Sequence, residues 1–187
     1  MISRQTLLMF FLFLASLLAW QWSSQRDNQN TQLQKQDLSL PSFTATKLHN
    51  QRYSADGKLT DIFTADQAFY YQQDKMTKTT HPVLQTFDPD GQKAWNISAN
   101  SGQLFSNDRL ILHDNVLIKN HNPAIDVDRM QTSDLEMDIN KHQITSDKPI
   151  TIDSLDYHVQ GVGLHADLNN KRYQILDQGH ATYFKPR

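Results

Sequence analysis

From Phe43 onward the side chains alternate with a period of two, and the alternation comes in four copies of one strand–turn–strand unit. The turns centre on Gln73, Asn107, Asn140 and Asn170, spaced 34, 33 and 30 residues apart. Seven positions further on stand Thr80, Asp114, Asp147 and Asp177; nine further on stand Pro82, Val116, Pro149 and Gly179. Any meander of hairpins gives similar spacing, but the shared Asp offset favours true repetition. A single hairpin cannot bury its apolar face, so the copies must stack into one core. Pro or Gly at the later offset ends or kinks a strand in three copies. Such corners let a sheet fold over into two faces. The expected fold is all-β, a twisted jelly roll or open V-shaped antiparallel sandwich of repeated hairpins. The stretch 64–76 reads as strand more than helix, because Phe69, Tyr70 and Tyr71 favour sheets. Asn at three of the four turns tolerates positive φ and suits a tight reversal.

The N-terminus is different in kind. Leu7 to Trp20 carries no charge, and with Thr6, Gln21 and Trp22 it reaches the ~17-residue lower limit for a spanning helix. Its six Leu and three Phe together favour insertion by roughly 4 kcal/mol. Trp20 and Trp22 stand where an interfacial belt lies. A cleaved signal peptide is the rival reading, since the apolar core is short. Bulky Trp20 and Trp22 occupy the place where small residues precede a cut, so an uncleaved anchor is favoured. The expected layout is a stub and anchor over 1–22, a Gln-, Asn- and Ser-rich tether over 23–42, and a β-domain over 43–187.

Composition removes several function classes. The net charge is −2, so no basic field tracks a nucleic-acid backbone. There is no Cys, which excludes disulfides, thiolate metal sites and Cys nucleophiles. The eight His are scattered, none in H-x-x-x-H or H-E-x-x-H spacing. Asp126 and Asp128 share one face of an expected strand and on paper could be an acid–base carboxylate pair or half a calcium site; they are read here as a solvated strand face with Val127 pointing inward. The offset Asp114, Asp147 and Asp177 are expected to bond local backbone N–H groups at turns. No nucleophile motif, phosphate loop or cofactor cradle is present. The chain is therefore read as non-enzymatic, with no cofactor and no metal.

At Asp88–Gly91, Trp95, Ala99, Gly102, Leu110, Leu112 and Val116 the sequence resembles the LptC family of lipopolysaccharide export proteins. Tyr53–Gly57, Ala68–Gln72 and His81–Asp88 also fit. The resemblance implies a single-pass inner-membrane protein with its bulk in the periplasm. It implies lipopolysaccharide as cargo, received from an ATP-driven ABC transporter and handed to the soluble bridge protein LptA. The tether and the region after Tyr157 depart most from the family pattern.

A lipid carrier needs an apolar lining, and inward strand positions provide one. Candidate lining residues are Leu48, Phe63, Phe69, Tyr71, Thr79, Leu84, Phe87, Trp95, Ile97, Leu104, Ile111, Met137, Ile139, Ile152, Tyr157, Tyr173 and Ile175. Sheet edges allow strand addition by partners. One docking edge is expected at Ala181, Thr182, Tyr183 and Phe184, facing the bridge protein; the other is near Phe43–Tyr53, facing the transporter. The competing reading is a filled adaptor that joins the same partners through its edges without touching lipid. Arg at Gly161 or Gly163 is expected to wedge a strand apart.

Overall fold

The structure, a computed structural model, describes residues 40–184. The anchor over 1–22 and all but the last three residues of the tether lie outside the described residues, as do positions 185–187. Eleven strands form one antiparallel sheet: β1 (Phe43–Tyr53), β2 (Leu59–Tyr71), β3 (Met76–Thr80), β4 (Val83–Phe87), β5 (Lys93–Ser98), β6 (Ser101–Phe105), β7 (Arg109–Asn120), β8 (Arg129–Asp138), β9 (Gln143–Asp153), β10 (Tyr157–Asp167) and β11 (Arg172–Tyr183). No helix occurs among the described residues, so 64–76 is strand and turn.

Gln73, Asn107, Asn140 and Asn170 each fall in a turn between successive strands. The Asn residues are not the left-handed ones. That conformation is taken one or two residues later, by Lys75, Asp108, His142 and Lys171, with φ of 47°, 61°, 51° and 54°. A left-handed residue closing a loop of three or more residues matches strand twist as well as a two-residue turn does. Asn170 instead clasps its turn from the side, donating to Asp167 Oδ2 at 2.9 Å.

The pairing of every long strand is irregular at the same level. β2 pairs with β4 through Asp61–Thr64 and with β3 through Gln67–Tyr71. β7 pairs with β6 through Arg109's neighbours Leu110–His113 and with β5 through Leu117–Asn120. Thus β3 with β4, and β5 with β6, are two halves of single strands broken at Pro82 and at Ala99–Asn100. The break is knitted by His81 N–H to Asn100 O at 2.8 Å and Asn100 N–H to Asp114 O at 2.9 Å. Elsewhere the interruption is a bulge, at Asp114–Asn115 (φ 62° and 53°), Gly163 (φ 79°) and Gln178 (φ 51°), or, at Lys47 (φ 54°), a left-handed residue in an unshifted ladder. Register shifts at Thr132/Glu136 and Gln160/Val162 extend the same line. Bulges add bend and twist, and here they align into a crease across the sheet. The offsets at Thr80, Asp114, Asp147 and Asp177, and at Pro82, Val116, Pro149 and Gly179, fall on it. Of the three Asp, Asp177 does accept a bond from a local backbone N–H, that of Gln178 at 2.8 Å, whereas Asp147 pairs with Lys148 Nζ.

The crease divides the sheet into two halves that face each other. Trp95, in one half, packs edge-to-face with Tyr173 of the other, with centroids 6.2 Å apart and planes at 72°. Between them lies one core, including Leu84, Ile97, Leu110, Ile118, Met130 and Met137. Polar groups buried at the crease are satisfied locally. Ser146 Oγ donates to Asp134 O at 2.7 Å and lies 3.2 Å from Thr132 Oγ1, covering carbonyls the bulge leaves unpaired.

Close approach at the crease demands glycine at one position. A Cβ on Gly161 would lie 2.4 Å from Ile175 Cγ2 and 2.9 Å from the backbone oxygen of Asp177. The backbone contact cannot be relieved by a rotamer change. Gly161→Ala is expected to cost about 1–3 kcal/mol, seen as a thermal midpoint several degrees lower. Gly179→Ala, whose Cβ meets only Ile175 at 3.9 Å, is expected to leave the midpoint almost unmoved.

Candidate functional site

Register defines the face turned toward the interior. Across one half, Tyr70, Thr77, Leu104, Leu110, Met137, Ile144, Ala166 and Tyr173 stand side by side. Across the other run Phe63, Leu84, Ile97, Ile118, Met130, Ile152, Val159 and Ala181. These rows form one apolar strip on each half, with their middles packed together.

The candidate lining residues divide into three groups, with Phe87 apart. Phe63, Thr79, Leu84, Trp95, Ile97, Met137, Ile139 and Ile152 are buried in the packed centre. Leu48, Leu104, Tyr157, Tyr173 and Ile175 are half-buried against that centre. Phe69, Tyr71 and Ile111 stand on the opposite, outward face: Phe69 opposes Lys78, and Ile111 opposes Glu136. Tyr71 carries the Lys78 ammonium over its ring at 5.0 Å. Phe87 ends β4 beyond a register shift and is half-buried. The reason for the outward group is the crease. In β2, Phe63 and Ala65 point inward, Asp66 and Gln67 are both exposed, and Ala68 resumes the buried face. A period of two carried straight on from Phe63 selects Phe69 and Tyr71, where the molecule turns Tyr70 inward. For Ile111 the run Leu110–Ile111–Leu112 is apolar on both faces, so alternation alone does not assign it. Such runs also hid Leu110 and Ile118, which strand pairing reveals.

The strips are uncovered at opposite ends. At the β1 end of one half, Phe43 is 62% exposed, and its inward neighbours Tyr70, Thr77 and Leu104 are half-buried. At the β11 end of the other half, Val159 is half-buried, Ala181 is exposed and Tyr183 is 78% exposed, with Phe184 following it. The Tyr157 and Tyr183 rings meet there at 6.2 Å. β1 pairs only with β2 and β11 only with β10. Both end strands therefore carry an edge without a partner among the described residues.

The free margins of the two halves are tied at one place. Arg52 on β1 donates to Asp61 Oδ2 on β2 at 2.8 and 2.9 Å. Its remaining donors cross to the other half, reaching Asn140 Oδ1 at 2.8 Å and Ile139 O at 3.1 Å. Asp61 Oδ1 is 3.0 Å from His142 Nε2 in the same β8–β9 turn. Asp61 is 3% exposed, so this is a largely desolvated ion pair bridging the mouth. Burial pushes its carboxyl up, but hydrogen bonds from His142 and Arg52 outweigh that and hold it below the usual carboxylate range. The other His–Asp pairs, His81–Asp66, His113–Asp134 and His158–Asp153, are more exposed. Among the described residues no three His, Asp or Glu are grouped to hold a metal. Asp126 and Asp128 flank the buried Val127 in a loop, not a strand.

Because Asp61 titrates lower in the folded chain than the ~3.9 of an unfolded one, its contribution is complete above that value. It is lost as the pH falls through the folded pKa. Asp61→Asn is therefore expected to be less stable than the parent by about 2–4 kcal/mol near pH 7. The gap in thermal midpoint should shrink below pH 4, as followed by circular dichroism from pH 7 to pH 2.

The family profile described as "Lipopolysaccharide-assembly, LptC-related" matches residues 8–184. The chain is 22% identical over 143 residues to the lipopolysaccharide export system protein LptC of Escherichia coli K12, covering 76% of this chain and 75% of the relative. It is 21% identical over 178 residues to the protein of the same name from Haemophilus influenzae, covering 86% and 85%.

Proposed function

This chain belongs to the LptC-related family of lipopolysaccharide-assembly proteins, a non-enzymatic part of lipopolysaccharide export, and from that premise we propose that its inner face carries the lipid's acyl chains. In this reading the molecule is an inner-membrane-anchored, periplasmic jelly roll. It takes lipopolysaccharide from the ABC transporter at the β1 end and passes it to the LptA bridge at the β11 end. One observation carries the reading: the apolar strips are continuous through the core and uncovered at opposite ends. A sealed sandwich covers its inner face at both ends. A segment in a chain of like segments leaves its ends open for the next.

The energetics favour such a lining. Each bare methylene in water costs ~0.8 kcal/mol, so one twelve-carbon chain exposes on the order of 10 kcal/mol. Tyr157 can turn a ring to hydrocarbon while its hydroxyl donates to Asp126 O. The unpartnered edges of β1 and β11 suit strand addition, which would join neighbouring sheets and align their strips. Phe184, 51% exposed, and Tyr183 would be covered by that contact.

The closely packed centre favours the competing adaptor reading, in which the edges bind partners and no lipid enters. Photo-crosslinking separates the two. A benzoylphenylalanine at Leu104, on the half-buried strip, is expected to form adducts with lipopolysaccharide in cells. The same probe at Ile111, on the outward face, should form none. Protein adducts alone from Leu104, with export intact, would leave only the adaptor.

A further inference from the structure

Among the described residues Tyr173 holds the one buried side-chain polar atom without a partner: its Oη makes no hydrogen bond. Buried hydroxyls without partners are uncommon and costly. Phe would fill the same space, pack against Trp95 and leave no orphan. The phenol nearest in the strip, Tyr157, is already used, donating to Asp126 O. The surroundings of Tyr173 are otherwise apolar: Trp95 across the gap, and Ala166 beside it on the inner row, with Ile175 two residues along its strand. Burial, then the nearby Tyr157, push its hydroxyl up to about 12, so it remains a donor at any pH the cell meets.

Position narrows what that donor meets. Tyr173 lies one residue pair in from Arg172–Asp167, where the β10–β11 hairpin closes at the mouth. It packs on Trp95 of the other half, whose own β11 end is uncovered. A molecule lodged there places an apolar tail toward the core and its polar part outside, with its first acceptor at the level of Tyr173. A carboxylate or phosphate would need a cation that Trp95, Ile175 and Tyr157 do not supply. A neutral carbonyl needs only a donor.

Building on the acyl-chain reading above, we propose that Tyr173 is a binding residue that donates its hydrogen bond to the ester or amide carbonyl of an acyl chain seated beside Trp95. The hydroxyl sets how deep the chain enters, because sliding the carbonyl past it would leave both groups unpaired.

The test uses the full chain and two neutral probes of equal length, 1-monotetradecanoylglycerol and its ether analogue 1-O-tetradecylglycerol, each displacing a bound polarity-sensitive dye. The parent is expected to bind the ester about fivefold more tightly, the factor for one net hydrogen bond. Tyr173→Phe should weaken the ester alone, erase that preference, and leave the lipid-free thermal midpoint unchanged or higher. If the preference survives in Tyr173→Phe, or if both probes weaken together with a lower midpoint, the assignment to Tyr173 is wrong. If the parent binds both probes equally, the groove stands and the carbonyl assignment falls. If neither probe binds, the acyl-chain reading falls and takes this inference with it.

Discussion

The two halves of this molecule are one hydrogen-bonded sheet, and everything else depends on the crease that folds it. The long strands β1, β2 and β7–β11 cross the crease unbroken, while β3–β4 and β5–β6 cross as broken pairs. The halves therefore cannot drift apart at their shared side. Separation is possible only at the free margins, where Arg52, Asp61, Asn140 and His142 make the tie. A two-sheet sandwich joined by loops has no such asymmetry. Here one side is a covalent and hydrogen-bonded hinge, and the other is a mouth.

Much of this was legible in the sequence. Four turn residues spaced at a near-constant interval announced the hairpins. The Pro, Asp and Gly offsets mark the corners. What sequence did not show was parity across the corner. In β2 the register is unshifted, but Asp66 and Gln67 both turn outward at the crease and the inward parity reverses after them. For that reason Phe69 and Tyr71 were expected in the lining and stand outside it. Apolar runs such as Leu110–Ile111–Leu112 carry no alternation, so Ile111 could be assigned only from its partner Glu136. The Arg52–Asp61–His142 tie joins residues 81 positions apart between Asp61 and His142; no local spacing rule reaches that far.

The same geometry explains why the ends differ from the middle. The halves cross at an angle, so β2 meets the β8–β9 turn and β5 meets β11. Each half then overhangs the other at one end. The overhangs expose Phe43 and Tyr183, large apolar groups beside unpaired strand edges. Isolated in water, such edges invite aggregation. In the proposed series of like sheets they would be the joints, through which the apolar strip would pass.

The account holds that the mouth opens to admit hydrocarbon while the crease stays shut. With no cysteine in the chain, spin labels at introduced cysteines can be placed without background. Label Ala55 and Lys141, exposed positions at the facing margins, and measure their separation by pulsed electron resonance with and without bound lipopolysaccharide. The account predicts a longer distance with lipid, by about half the ~10 Å spacing of packed sheets. An unchanged distance in chains that demonstrably carry lipid would contradict it.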